Sequence, residues 1–506
     1  VGVSPGRADA FRPPSPEDAT RWRALLTDAG YTAEGLQESF GTAKPPLPEF
    51  GLRDQILEDL GGTERDILLR WFFLGEPVAA AAARAALPSW FLEIALETGM
   101  LRDEGESLRP ACILAAHEDL LLASDPYARL LSPDAYDHVL TVNPAAVHLL
   151  HFTVRRRVRS ALDLCAGSGI QALAAASHAE RVVAADLNPR AAGFLALNGR
   201  LNGRENIEVR TGDLFDPVKG RSFELIVCNP PFVLAPSSEF LYRDNDLGLD
   251  ELCRRIVRQA PAHLEEGGFF QMICEWPQIG GVPWDRRIAG WFEGLGCDVW
   301  ALKGTTQQPP VYAAGRVQET LPGSREEAAA RYRGWMAFFR EAGIEAIHAG
   351  LVVLRRRSGA NWVRLDESPG STHGPFGEHV LQGFATRDFL EACPGEEALL
   401  AARLRLTEHA RLDLSFEPGD DGWKPVSSRL RLERGLPHRV AVLGDVATFI
   451  AGLDGTSCLG DRIAAMLDGV PAGTDVSRMR GEVLRTMRFL LDRGFLSVVS
   501  PPPASR

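Results

Sequence analysis

Ala161-Leu-Asp-Leu-Cys-Ala-Gly-Ser-Gly-Ile-Gln171, Val182-Val-Ala-Ala-Asp-Leu-Asn-Pro189, Thr211-Gly-Asp-Leu-Phe-Asp216 and Leu225-Ile-Val-Cys-Asn-Pro-Pro-Phe232 decide the fold. Each follows or ends a short apolar run of strand length. An Ala-rich, helix-prone stretch (171–179) separates the first two, and a second helical pattern (190–201) separates the next two. Strand, helix, strand, helix, strand is the grammar of a parallel sheet wound with crossover helices. Ligands of such sheets bind at the carboxyl ends of the strands, where all four pieces fall.

Gly167 and Gly169 stand where a strand turns into a helix. Glycine there permits positive φ and lets backbone approach a ligand closely; a plain tight turn needs the same residues. Asp186 closes the next strand, placed to accept hydrogen bonds from ribose hydroxyls. It also fits a helix cap ahead of Pro189, and the two roles are compatible. Asp213 follows a third strand and reads equally as a turn aspartate. Asn229-Pro-Pro-Phe232 ends a fourth. Two prolines cannot continue a central strand, so the chain is stiffened and turned where the sheet stops.

Together these residues resemble the class I S-adenosylmethionine-dependent methyltransferases, and the small-methyltransferase-domain family among them. The resemblance implies an α/β fold, with a seven-stranded Rossmann-like sheet. It makes Asp163, Cys165, Ala166, Gly167 and Gly169 the nucleotide loop, and Asp186 with Leu187 and Asn188 the ribose side. Asp213 and Leu214 would flank the adenine. Asn229, Pro230, Pro231 and Phe232 match the Asn-Pro-Pro-aromatic motif of enzymes that methylate planar amino or amide nitrogens, with Asn229 also near the cofactor. A dehydrogenase fits less well, because Ala172 stands where its third glycine would be. Further on, Leu241-Tyr-Arg-Asp-Asn-Asp-Leu-Gly-Leu-Asp-Glu-Leu-Cys-Arg-Arg-Ile256 and Ala260-Pro-Ala-His-Leu-Glu-Glu-Gly-Gly268 are similar to the protein-glutamine methyltransferases that modify release factors. Thr141-Val-Asn-Pro-Ala-Ala-Val147 departs from that family's Pro-Arg-x-Glu-type segment, so the wall on the substrate side is not implied to be the same. The resemblance spans roughly residues 140–355.

The chemistry asks for such residues. A sulfonium methyl is already activated, so the enzyme must chiefly hold a nucleophile about 3–3.5 Å from it and in line. An amide nitrogen has its lone pair spread into the π system. If its N–H groups donate to fixed acceptors, the remaining lobe can be aimed. The Asn229 side-chain oxygen is one such acceptor and the Pro230 carbonyl another. Phe232 offers a flat face to a planar group. No metal and no covalent intermediate is required.

Composition sets the outer limits. The 506 residues carry a net charge of −12, which argues against a surface that coats nucleic acid generally. No apolar run approaches the length of a membrane span. The eight cysteines are scattered without a Cys-x-x-Cys pair. They read as free thiols of a reducing compartment, consistent with a cytoplasmic protein. Cys165 and Cys228 lie beside the expected pocket, but nothing nearby looks like a base for a catalytic thiol.

Along the chain the expected organisation is a Pro-rich disordered tail (1–16), an N-terminal helical module (17–135) and the S-adenosylmethionine-binding domain (136–357). A connector (358–376) then leads to a C-terminal module (377–506). Short helices followed by strands suggest a winged-helix-like character for both flanking modules, as α+β units. Residues 35–48 and 305–323 read as loops. The recognition-helix candidate at 88–98 has no Arg or Lys, which favours packing over nucleic acid. The best basic face is Arg478, Arg480, Arg485 and Arg488, and an ordinary charged face explains it equally. The expected acceptor is a protein glutamine. An exocyclic amine of an RNA or DNA base is the alternative, and a small-molecule amine a further one.

Overall fold

Apolar runs place three strands deep in a parallel sheet, as segments buried on both faces do. In the computed structural model these are β1 (Val158–Leu164), β2 (Ala179–Asp186) and, after the more polar β3 (Ile207–Thr211), β4 (Phe223–Cys228). β5 (Leu264–Ile279), β6 (Cys297–Gln307), β7 (Ile344–Arg356) and β8 (Val363–Glu367) complete an eight-stranded sheet, in the order β8-β6-β7-β5-β4-β1-β2-β3. The strands β3, β2, β1, β4 and β5 run parallel to their neighbours. β7 is inserted antiparallel between β5 and β6. The structure describes residues 11–43, 45, 52–132, 135–320, 323–370, 375–392, 395–419, 422–442, 444–471 and 475–499.

Crossovers α1 (Ile170–Ala175) and α2 (Pro189–Leu201) join β1 to β2 and β2 to β3, and α3 (Glu251–Gln259) precedes β5. α4 (Trp284–Ala289) lies between β5 and β6, and α5 (Pro309–Gln318) and α6 (Arg325–Glu341) between β6 and β7. The chain winds in opposite directions from the β1/β4 pair, the switch point where such sheets open a crevice. Leu164 and Cys228 are register partners there, so the loops that begin at Cys165 and Asn229 leave the sheet side by side.

Three expectations are corrected. The sheet has eight strands, not seven. The extra edge strand, Val363–Glu367, is short and mostly charged, as edge strands often are. That pattern hides it in a stretch that reads as connector. It is held by the Trp362 carbonyl accepting from Val299 N at 2.9 Å and by Trp300 Nε1 donating to Asp366 at 3.0 Å. Residues 305–323 are not one loop: Pro309 and Pro310 open α5 at its first turn, where a missing N–H costs nothing. Within 35–48, Ala33–Phe40 is a helix capped by Thr32 and ended by Gly41 at φ +68°.

The molecule divides into two compact units, residues 1–150 with 156–366 and residues 151–155 with 367–506. In the first, an aromatic core containing Trp22, Trp71, Phe72 and Phe91 continues onto Ala191, Phe194, Leu197 and Leu201 of α2. The N-terminal elements therefore share a core with the catalytic sheet. Of the tail expected over 1–16, residues 1–10 lie outside the described residues. From Phe11 the chain is packed, with that ring 4.5 Å from Phe194. In the second unit, the described residues form five helices, the strand pair Leu404–Leu406/Leu496–Val498 and a hairpin, Ala410–Gly419/Gly422–Leu432, that lies between the two paired strands in sequence. The Asp420-Asp421 turn expected at its tip lies outside the described residues. No helix of the described residues is long and apolar enough to cross a membrane.

Candidate active site

The loop after β1 is shaped by backbone that ordinary residues avoid. Cys165, Gly167 and Gly169 have φ of +59°, +55° and +94°. A left-handed non-glycine residue such as Cys165 stores strain, and such strain clusters at functional sites. The two glycines serve different ends. A Cβ on Gly169 would sit 2.4 Å from Leu195 Cδ2, so this glycine lets α2 pack close. A Cβ on Gly167 would meet nothing within 4 Å and would project into open space.

Two carboxylates hold this loop. Asp163, buried at the end of β1, accepts from Ala172 N at 2.8 Å and so ties down the start of α1. Burial pushes its carboxyl up to about 8, with Asp186 adding in the same direction. Asp186 accepts from Gly167 N and from Asn188 N, one on each oxygen, both at 2.8 Å. Desolvation raises its carboxyl, against the pull of those N–H groups. Each oxygen keeps a second lone pair for a hydroxyl. Asn188 is a cap: its Oδ1 accepts from Arg190 N at 2.9 Å, and its Nδ2 donates to the Asp137 carbonyl at 2.8 Å. Leu187 is exposed, Leu214 is buried, and the Asp213 carboxylate pairs with Arg255 at 3.4 Å.

Asp163, Cys165, Ala166, Gly167, Asp186, Leu187, Asn188, Asp213 and Leu214 line one cavity of ≈ 380 Å³, whereas Gly169 does not line it. Asn229 and Pro231 line the same cavity. The half-buried Asn229 amide takes no hydrogen-bond partner among the described residues. Pro230 is buried and Phe232 half-buried, and neither lines the cavity. Phe232 instead packs against the two apolar clusters on either side of β5. The Pro231 carbonyl is occupied by Asn245 Nδ2 at 3.1 Å. The sequence therefore brings the β1, β2, β3 and β4 tips together as expected, with the aromatic face of Phe232 turned to packing. Beside them, burial holds the Cys228 thiol protonated, far above its ordinary range.

The cavity contains residues that sequence reasoning left unassigned. His138, Thr141 and Gln171 line it and are buried, yet both His138 ring nitrogens, Thr141 Oγ1 and Gln171 Oε1 have no hydrogen-bond partner among the described residues. Burial pushes His138 down to about 4, so it is neutral at pH 7. Tyr242, Asp244 and Asn245 form the facing wall, with the Tyr242 ring 5.8 Å from His138. Asn245 and Tyr242 sit in the stretch that carries the downstream resemblance. His138 is an isolated histidine with no pattern around it to mark it.

The site suits S-adenosylmethionine on its own geometry. Gly167 leaves a bare floor, Asp186 offers free lone pairs to the cavity beside it, and Leu214 is apolar. A zwitterionic amino-acid tail needs both donors and acceptors, and the unpaired atoms of Thr141, Gln171 and His138 supply them.

Comparisons with known proteins agree. The family model for the methyltransferase small domain matches residues 141–278. Two models described as domains of unknown function (DUF7059 and DUF7782) match 52–111 and 382–498. A putative protein N5-glutamine methyltransferase of Methanocaldococcus jannaschii is 31% identical over 154 residues, 28% of this chain and 73% of that protein. A ribosomal protein uL3 glutamine methyltransferase of Xanthomonas campestris is 38% identical over 133 residues, 24% of this chain and 42% of that protein. A release factor glutamine methyltransferase of Xylella fastidiosa is 31% identical over 163 residues, 30% and 58% respectively. The chain thus spans less than half the length of the uL3 relative.

Proposed function

Since the chain belongs to the S-adenosylmethionine-dependent methyltransferases of the small-domain family, we propose that it methylates the side-chain amide nitrogen of a protein glutamine. The observation that carries this reading is the unpaired Asn229 amide at the tip of β4, in the cavity whose other end is the Gly167–Asp186 cofactor floor. The named relatives act on glutamine in proteins, and the stretch 241–268 resembles theirs.

S-adenosylmethionine supplies a methyl carbon activated by its sulfonium leaving group. The residues of this chain do the rest. Asp163 fixes the start of α1, and Asp186 fixes the loop and accepts ribose hydroxyls. Asp213 and Leu214 bracket the adenine, and Thr141 and Gln171 take the amino-acid end. Asn229 Oδ1, which lines the cavity, accepts one N–H of the glutamine amide and so turns the nitrogen lone pair toward the methyl. The Pro230 carbonyl, expected from the motif as the second acceptor, belongs to a buried residue outside the cavity lining and would serve only once the loop shifts to expose it. Pro231 contributes stiffness, and Phe232 braces the loop from behind. As the N–CH3 bond forms the S–CH3 bond breaks and the neutral thioether leaves; the methylated nitrogen, now strongly acidic, gives its proton to water.

The same reading divides the sequence into 17–135, 136–357 and 377–506, with the three family models falling one in each, although the first two share a core in one compact unit. The run from Glu64 to Pro110 is helix, short strand, two helices and two strands, with the sheet ordered first, third, second. That order supports reading the segment as a winged-helix-like module. We take it as a packing or protein-docking module, because helix Ser89–Glu97 spends its apolar face on the core. A cytoplasmic site of action follows from substrates of this kind.

Transfer of label from S-adenosyl[methyl-³H]methionine into cell extract tests the reading. Label recovered in protein, as N5-methylglutamine after digestion, supports it. Label in RNA, DNA or a small amine overturns the acceptor assignment.

A further inference from the structure

The segment that leaves Asn-Pro-Pro-Phe closes on itself. Val233 N donates to the Arg243 carbonyl at 3.1 Å, and Asn245 Nδ2 donates to the Pro231 carbonyl at 3.1 Å. Inside the loop, the buried Asp244 accepts from Glu239 N at 3.0 Å and Phe240 N at 3.1 Å and pairs with Arg243 at 2.7 Å. Residues 231–245 thus form a loop with a tied neck, and its far side supplies Tyr242, Asp244 and Asn245 to the cavity wall.

The neck has one more tie, and it comes from far away in sequence. The fully buried Leu234 N donates to the Tyr312 hydroxyl at 3.3 Å. That hydroxyl in turn donates to the Glu275 carboxylate. Tyr312 is on α5, the helix opened by Pro309-Pro310. Glu275 is on β5, beyond Met272, the last β5 residue paired with β4. So β5 outruns β4 just where Asn229 leaves the sheet, and the overrun carries the carboxylate. Tyr312 is itself clamped: its ring lies 6.0 Å from both Trp335 and Phe339 of α6, and the Arg316 guanidinium sits 4.9 Å over its face. A buried carboxylate facing apolar side chains is expensive unless something needs it there. Burial pushes Glu275 up to about 7, and either protonation state can accept from the hydroxyl.

We propose that Tyr312 and Glu275 are positioning residues for methyl transfer: the Glu275 carboxyl orients the Tyr312 hydroxyl, which takes the Leu234 amide and thereby fixes the loop that aims Asn229. The helical insertion between β6 and β7 is, on this view, part of the catalytic apparatus and not only a cover for the sheet. The relay touches neither cofactor nor acceptor. Its effect passes through the backbone, where a misplacement near 1 Å at the reacting group lowers the rate about 100-fold. This inference rests on the glutamine-methyltransferase reading.

The test uses full-length protein and a protein fraction that wild type labels. Tyr312→Phe and Glu275→Leu are expected to lower kcat tenfold or more, with the Kd for S-adenosylmethionine by calorimetry unchanged within about twofold. Glu275→Gln, whose amide oxygen still accepts from the hydroxyl, is expected to retain most of the rate. Tyr312→Phe combined with Glu275→Gln is expected to be no slower than Tyr312→Phe alone, as members of one relay are not additive. Hydrogen exchange at Leu234 is expected to quicken in Tyr312→Phe. A merely structural pair would lose thermal stability and cofactor affinity together and give Glu275→Gln no advantage, and that pattern overturns the proposal. So does full turnover in Tyr312→Phe. Wild type that labels no protein overturns the glutamine reading itself, whatever the variants do.

Discussion

The two halves of the cavity are built by different means. The cofactor half, at the tips of β1, β2 and β3, is backbone held by short-range bonds: Asp163 to Ala172 N, and Asp186 to Gly167 N and Asn188 N. The acceptor half, beyond β4, is a loop whose place depends on side chains from β5 and α5. A cofactor of fixed shape can be met by a fixed local motif. An acceptor that differs among enzymes on one scaffold is met by parts that are free to vary, and those parts lie far from the motif in sequence.

If that division is real, damage to the halves should separate kinetically. The largest effect is expected at Asn229→Ala. Removing an amide that has no hydrogen-bond partner among the described residues, in the half proposed for the acceptor, should lower kcat on the order of 100-fold or more, as loss of a preorganised polar group does, while calorimetric affinity for S-adenosylmethionine stays within about threefold. Unchanged kcat would remove Asn229 from the chemistry. A collapse of affinity instead would mean that the halves are not separable there.

Asp186→Ala is the mirror experiment. Here the cofactor Kd should weaken about 10- to 100-fold, the scale of charge-assisted hydrogen bonds, with kcat at saturating cofactor largely kept. Two backbone donors lose their acceptor in this variant, so part of the loss is loosening of the Gly167 loop. Gly167→Ala isolates the floor itself. Its Cβ would meet no protein atom, so the fold pays only the left-handed cost of roughly 1 kcal/mol, yet cofactor affinity should fall about tenfold. Gly167→Ala with wild-type affinity would show that the cofactor does not lie over this residue.

The same division explains what could be read in the sequence. Asp163, Gly167, Gly169, Asp186, Asp213 and Asn229 announce themselves because each sits at a strand end in a short, punctuated motif. β8 and α5 do not. Val363–Glu367 is a charged edge strand that resembles a connector, and Pro309-Pro310 signals a break as readily as a first turn. With α5 taken for loop, Tyr312 had no visible element and Glu275 no partner. Phe232 is expected from the motif to offer a flat face to a planar group; it is half-buried and packs against two apolar clusters, whose members, Tyr312 and Trp335 among them, no local pattern reveals. His138 was silent for the same reason.

The smallest expected effect concerns charge in the cofactor half alone. Asp163 stays protonated to about pH 8 when folded, against about 3.9 for an unperturbed aspartate. A carboxyl whose folded pKa is raised contributes stability that is whole below the unfolded value and is lost as pH rises toward the folded one. Without cofactor, the melting temperature of the first unit should therefore drift down between about pH 5 and pH 8. Glu275, pushed up to about 7, adds in the same direction over the lower part of that range. Asp163→Asn removes the larger contribution and should flatten the drift, whereas Glu275→Gln should flatten only its lower part. A positively charged ligand reverses the preference, because it favours the ionised carboxylate. S-adenosylmethionine should then bind more tightly at pH 8 than at pH 6.5 and release a fraction of a proton as it does, read from calorimetry in buffers of different ionisation enthalpy. If Asp163→Asn leaves both the drift and the proton release as they are, the titrating group lies elsewhere, and the cofactor half is less strictly local than its hydrogen bonds imply.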